Sequence, residues 1–255
     1  MVRGIDLFKK HFELFDNAFV IIGGTASMLL MEDSGLEFRG TKDIDVVLYV
    51  EALTREFAEA FWDFVEEGGY ENTQQSTGKR LFYRFYKPRN AAYPEMVELF
   101  SRKPDAINLR EGSHLTPIPI DEEVASLSAI LLDDSYYSLA QVGRKTIDGL
   151  PVLGAEYLIP FKAKAWLDLS QRRYAGEAVD EKHIRKHRND VFRLYNIIVL
   201  EERVELGSKV AGDLSAFLDE MKDADINLSQ LGLRHTTLAE LLGNLRAVYG
   251  LDSGS

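Results

Sequence analysis

The apolar run Ala18–Ile22 ends on Gly23-Gly24, and eighteen residues then separate Gly24 from Asp43-Ile44-Asp45-Val46-Val47; no other feature constrains the chain as much. Consecutive apolar residues closed by a glycine pair read as a strand covered on both faces. Thr25–Glu32 continues as a helix, whose first turn offers unbonded N–H groups just past the glycines. Ile44–Val50 reads as a second strand. Alternation along it puts Asp43 and Asp45 on one face and Ile44 and Val46 on the other. Two carboxylates side by side on a rigid strand repel each other unless a cation lies between them. Mg²⁺ takes such hard oxygen ligands, usually from one or two carboxylates together with the phosphates of a substrate. Gly23 and Gly24 carry no Cβ, so backbone amides there can approach a bulky anion. An Asp-x-Asp alone is common at wet strand edges, and a glycine pair after a strand is equally common. Together they read as a metal–nucleotide site, with Asp43 and Asp45 as ligands of Mg²⁺ or Mn²⁺.

The rest of the chain is consistent with an α+β fold. Apolar residues at 5, 8, 12 and 15 give Ile5–Phe15 a helical stripe, and Leu53–Glu66 is a further helix closed by Gly68-Gly69. Arg80–Tyr86 alternates and reads as a strand, as does Met96–Phe100. Pro117 and Pro119 lie near the edge of this set. Leu127–Leu132 and Thr146–Val152, the latter containing Asp148-Gly149, read as short strands that extend the sheet. From Glu156 the pattern is helical: Glu156–Tyr174, Glu181–Glu202, Lys209–Lys222 and Thr237–Tyr249. His235-Thr236-Thr237 offers the last of these an N-cap, and the tail Leu251–Ser255 reads as frayed. The expectation is a mixed sheet with flanking helices over residues 1–153, followed by a helical part over 154–255.

With 255 residues, 45% of them hydrophobic, the chain can bury a sizeable core. It has no cysteine, which excludes a disulfide framework and a thiolate zinc site, so metal chemistry must rest on carboxylates or histidines. The histidine pair His183/His187 has helical spacing but no third ligand nearby in sequence. The longest uncharged stretch, Asn17–Met31, is too short to span a bilayer, and residues 1–16 are mixed in charge, so a cytoplasmic protein without a membrane span is expected. A net charge of −11 argues against general nucleic-acid binding. The charge is uneven: residues 162–193 are about +4 and the remainder −15. That segment reads equally as a solvated basic face or as a wall for a triphosphate or RNA.

Glu98 stands alone in the apolar strand Met96-Val97-Glu98-Leu99-Phe100, facing away from Val97 and Leu99. Either this is a wet position on an edge strand, or Glu98 is the third carboxylate of a two-metal site. In the helix at 161–169, Phe161, Ala165, Trp166 and Leu169 read as the inward side. Lys162 and Lys164, two apart, cannot share a face, and one of them could reach a phosphate. Lys186 and Asp190, four apart, read as an ordinary surface pair. No Walker-type loop, dinucleotide fingerprint or nucleophile elbow is present.

Gly23-Gly24-Thr25-Ala26 followed by Arg39-x-Thr41-Lys42-Asp43-Ile44-Asp45 resembles the nucleotidyltransferase superfamily, and more narrowly the AbiEii-type toxins of abortive-infection systems. Lys162-Ala163-Lys164-Ala165, and Lys186 through Asp190, are similar to that group's later motifs. The interval from Gly24 to Asp43 is longer than is usual in the group. The resemblance implies a nucleotidyltransferase-like α/β domain that moves NMP from an NTP to an acceptor hydroxyl. Asp43, Asp45 and Glu98 would hold the metal ions, with Glu98 also activating the hydroxyl. Gly23, Gly24, Thr25 and Thr41 would meet the nucleotide, and so would Lys162 (or Lys164) and Lys186. Asp190 would orient the lysine. The implied acceptor is tRNA, as in toxin–antitoxin systems, with an antitoxin as partner. A small hydroxylated acceptor of the aminoglycoside kind, or a non-catalytic nucleotide-binding protein with this fold, are the alternatives.

Overall fold

In the computed structural model, which describes residues 2–71, 83–103, 115–118 and 127–251, the apolar run becomes β1 (Phe19–Ile22), buried at every position. The chain divides into two compact units, Met1–Leu153 and Gly154–Ser255. The first contains β1, β2 (Asp43–Leu48), β3 (Arg84–Tyr86), β4 (Met96–Ser101), β5 (Leu115–Ile118), β6 (Leu127–Leu131), β7 (Arg144–Ile147) and β8 (Leu150–Leu153). They form one mixed sheet in the order β5-β6-β4-β2-β1-β8-β7, with β3 also pairing to β4. β1 is buried on both faces because it is central, antiparallel to β2 and parallel to β8. β7 and β8 form a hairpin on Asp148-Gly149, both at positive φ, as the tight turn between two twisted strands requires. Among the described residues β5, which contains Pro117, ends the sheet.

The glycine pair does not precede the next helix but opens it: α2 runs Gly23–Asp33, with Gly23 at φ 70°. Gly23 thus lets the chain turn from strand into helix with no connecting loop. α1 (Ile5–Phe12) is shorter than its stripe suggested and gives way to a 3₁₀ stretch, Glu13–Ala18. α3 (Arg55–Gly68) starts on Thr54, whose hydroxyl accepts from Phe57 N, and ends on Gly69 at φ 61°. α1 and α3 supply most of an aromatic core in which Phe8, Phe12, Phe19, Phe57, Phe61, Phe64 and Phe85 are fully buried. Phe8 meets Phe64 edge-on at 5.6 Å, and each such ring contributes roughly 1.5–3 kcal/mol by burial. β5 and α4 (Asp134–Val142) were not expected from the sequence. Residues 80–82 of the expected strand, Pro119 and 252–255 of the tail lie outside the described residues.

The second unit is helical: α5 (Ala155–Tyr174), α6 (Glu181–Leu194), α7 (Ser208–Glu220) and α8 (Leu238–Val248). α6 stops at Leu194, well before the expected Glu202. α8 opens with a reciprocal capping box between Thr237 and Glu240. Pro160 sits inside α5 and has no N–H to give the carbonyl of Glu156, four residues back. The Tyr249 hydroxyl donates to that carbonyl instead, at 2.6 Å, which ties the end of α8 to the start of α5. Among the described residues, no helix is long and apolar enough to cross a membrane.

Candidate active site

Strand register brings the site together. β2 and β4 are parallel, pairing Asp43 with Met96 and Asp45 with Glu98. β3 is antiparallel to β4 and pairs Arg84 with Glu98, so Arg84, Glu98 and Asp45 form a row across three strands. Their neighbours Phe85, Val97 and Ile44 form a parallel row that is fully buried. By alternation the charged row, with Asp43 two residues along, occupies the opposite face of the sheet. β1 places Ile22 opposite Asp45, which sets Gly23 at the end of the same row.

At that end the backbone and the carboxylate are in close approach. A Cβ on Gly23 would lie 1.9 Å from Asp45 Oδ2, so any other residue there would displace the carboxylate, besides the strain of its positive φ. A Cβ on Gly24 would lie 2.8 Å from Thr41 Oγ1 and 3.5 Å from Arg39 Nη2. The first turn of α2 is therefore packed against Asp45, Thr41 and Arg39. Thr25 is fully buried and its hydroxyl donates to the carbonyl of Asp43 at 2.5 Å, while Ser27 Oγ donates to the Gly23 carbonyl at 2.8 Å. The Thr25 side chain thus fastens the helix to β2, and what it can offer an anion is its backbone N–H.

Glu98, 13% exposed, accepts a hydrogen bond from Nε of Arg84, which is 43% exposed. Among the described residues, no three acids or histidines converge into a group that could hold a metal ion. Asp43 and Asp45, on one strand face with a glycine cradle beside them, fit an ion completed by substrate phosphates. Glu98 shares their face but is drawn to Arg84. Sequence reasoning did not single out Arg84. Its outward position opposite Phe85 was visible in the alternation, but its pairing with Glu98 depends on register.

No family model and no curated protein matches the chain. Two solved structures are similar to it in fold. One is an antigenic nucleotidyltransferase-like protein from Paracoccidioides brasiliensis, at 17% identity over 93% of this chain and 97% of that one, with a TM-score of 0.44. The other is the antibiotic-resistance factor ANT(2'')-Ia, at 17% identity over 85% of this chain and 91% of that one, with a TM-score of 0.37.

The remaining candidate residues lie in the second unit. α5 buries Leu158, Ile159, Lys162 and Ala163, so the expected inward side of Phe161, Ala165 and Leu169 is corrected by about a quarter of a turn; Trp166 does pack, edge-on to Phe217 at 5.4 Å. Lys162 therefore sits on the core-facing stripe. It is 3% exposed, and its Nζ lies 3.0 Å from Oδ2 of Asp190, which is completely buried. Arg193 Nη1 lies 3.6 Å from the other Asp190 oxygen. Asp190 is thus not half of a surface pair, because α6 turns it inward along with Val191 and Leu194. Lys164 points to the wetter side and pairs with Asp168, while Lys186 is half-buried on α6. His183 is exposed and His187 half-buried, and His114 lies outside the described residues.

Proposed function

We propose that the protein is a metal-dependent nucleotidyltransferase that transfers NMP from an NTP to an acceptor hydroxyl. Its main support is the close approach of Gly23 to the Asp45 carboxylate, with Asp43 on the same face and the first turn of α2 beginning there. Asp43 and Asp45 hold the ion, Mg²⁺ or Mn²⁺, which when bound neutralises charge on the triphosphate oxygens. The first N–H groups of α2, from Gly23, Gly24 and Thr25, meet the phosphates, with Thr41 beside them. The acceptor oxygen attacks the α-phosphorus, the bond to the β-phosphate oxygen breaks, and pyrophosphate leaves. Glu98 takes the hydroxyl proton. Catalysis of this kind is mainly positioning and electrostatic stabilisation.

For the acceptor, the +4 segment at 162–193 favours tRNA over a cationic small molecule. Lys162 and Asp190 enter this reading as a buried pair that stiffens the second unit, with Lys164 and Lys186 as the more accessible cations. The test is incubation of the protein with Mg²⁺, each α-³²P-labelled NTP, and total tRNA or an aminoglycoside panel. Label on tRNA that disappears in Asp45→Asn, with the circular dichroism unchanged, is the expected result. Transfer retained in Asp45→Asn would refute the site, and label on a small molecule alone would replace the acceptor.

A further inference from the structure

We infer that Arg84 is a latch on Glu98 that sets the divalent-cation affinity of the site, a positioning residue acting through the carboxylate it holds. The inference rests on the metal-site part of the reading above. Register places Glu98 directly beside Asp45 on the neighbouring strand, on the same face as Asp43. Like charges directly opposite one another on paired strands destabilise the sheet, so a second carboxylate in this row, the third on this face, needs a cation. Arg84 supplies one from the far side: its Nε hydrogen-bonds Glu98 Oε1 from β3, which pairs with β4 on the side away from β2.

Asp43 and Asp45 share a face with Glu98, yet no three acids converge among the described residues. The guanidinium is the more exposed partner, at 43% against 13% for Glu98, so it can leave for solvent without disturbing the core. A divalent ion on Asp43 and Asp45 competes with Arg84 for the same carboxylate. Arg84 thus holds Glu98 in reserve when the ion is absent, and releases it as the ion and its nucleotide arrive.

The experiment measures Mn²⁺ binding to the full chain by electron paramagnetic resonance of free Mn²⁺, at one pH and ionic strength. The proteins are wild type, Asp45→Asn, Arg84→Gln, Glu98→Gln and the Arg84→Gln/Glu98→Gln double variant. Arg84→Gln is expected to bind Mn²⁺ about tenfold more tightly, at the low end of what a hydrogen bond to a charged group is worth, because Glu98 no longer has to leave that bond to reach the ion. In the Glu98→Gln background the same change is expected to matter by less than about twofold, because the latch has nothing to hold. Equal gains in both backgrounds would overturn the latch, since Arg84 would then act by repulsion alone. Unchanged or weaker binding in Arg84→Gln, with wild-type binding abolished by Asp45→Asn, would overturn the inference and leave the metal site standing. No Mn²⁺ binding by any of the proteins would overturn both.

Discussion

Replacing Asp190 with Asn tests what the buried pair does. Lys162 Nζ and Asp190 Oδ2 are 3.0 Å apart, with Lys162 3% exposed and Asp190 fully buried. At an effective dielectric constant of 20 their attraction is about 5.5 kcal/mol, much of which offsets the cost of taking both charges out of water. The net worth of the pair is therefore small, while the cost of breaking it is large. Asp190→Asn leaves the Lys162 ammonium facing a neutral amide in the interior, and also removes the carboxylate 3.6 Å from Arg193. The expected loss is about 3–5 kcal/mol. With a urea dependence of about 2 kcal/mol per M, the midpoint of the helical unit falls by about 1.5–2.5 M. Lys162→Met costs less, because Arg193 still faces the buried carboxylate. Lys162→Met/Asp190→Leu, which removes both charges, should recover most of the loss. The assay is equilibrium urea unfolding followed by circular dichroism, fitted with a separate transition for each unit. A loss under 1 kcal/mol in Asp190→Asn, or a double variant no more stable than that single one, would refute the reasoning.

Gly23→Ala forces a side chain into a left-handed conformation, at a cost of about 1–2 kcal/mol, and puts a Cβ 1.9 Å from Asp45 Oδ2, which must move. A fall of about 2–8 °C in the thermal midpoint is expected, together with a loss of Mn²⁺ binding and of transfer; wild-type Mn²⁺ affinity in this variant would count against the cradle. Burial, aided by a hydrogen bond to Glu67, pushes the Tyr93 phenol up to about 12, and burial also raises Tyr49, Tyr70, Tyr137 and Tyr249 well above the usual phenol range. The fold favours these phenols neutral, so their stabilisation is complete below about pH 10, the unfolded value, and is lost as pH rises through the folded ones. Phenolate absorbance should show these five of the eleven tyrosines ionising well above pH 10, together with unfolding; eleven tyrosines titrating near pH 10 with the circular dichroism intact would refute it.

Much of the first unit was legible because local rules govern it. The run at 18–22 reads as a buried strand whatever its partners, and period-two alternation puts Asp43 and Asp45 on one face and Glu98 opposite to Val97 and Leu99. His235-Thr236-Thr237 announces the start of α8, which Thr237 caps, whereas the expected strand Thr146–Val152 is broken at Asp148-Gly149 into the β7–β8 hairpin. Less legible were α4 and β5, where apolar spacing is short and mixed, and the buried stripe of α5. In α5 a lysine occupies a core position, so the apolar residues alone pointed to the wrong face.

The sequence by itself determined which residues could do chemistry and which way a strand must point them, because side-chain direction within an element is a property of the backbone. The tertiary structure decided who meets whom. That Asp45 lies beside Glu98, that Arg84 takes hold of Glu98, that Thr25 turns its hydroxyl to Asp43, and that Lys162 finds Asp190 twenty-eight residues away all depend on strand register and helix packing. These are set by how the whole apolar surface is buried at once, and no local stretch of chain contains that information.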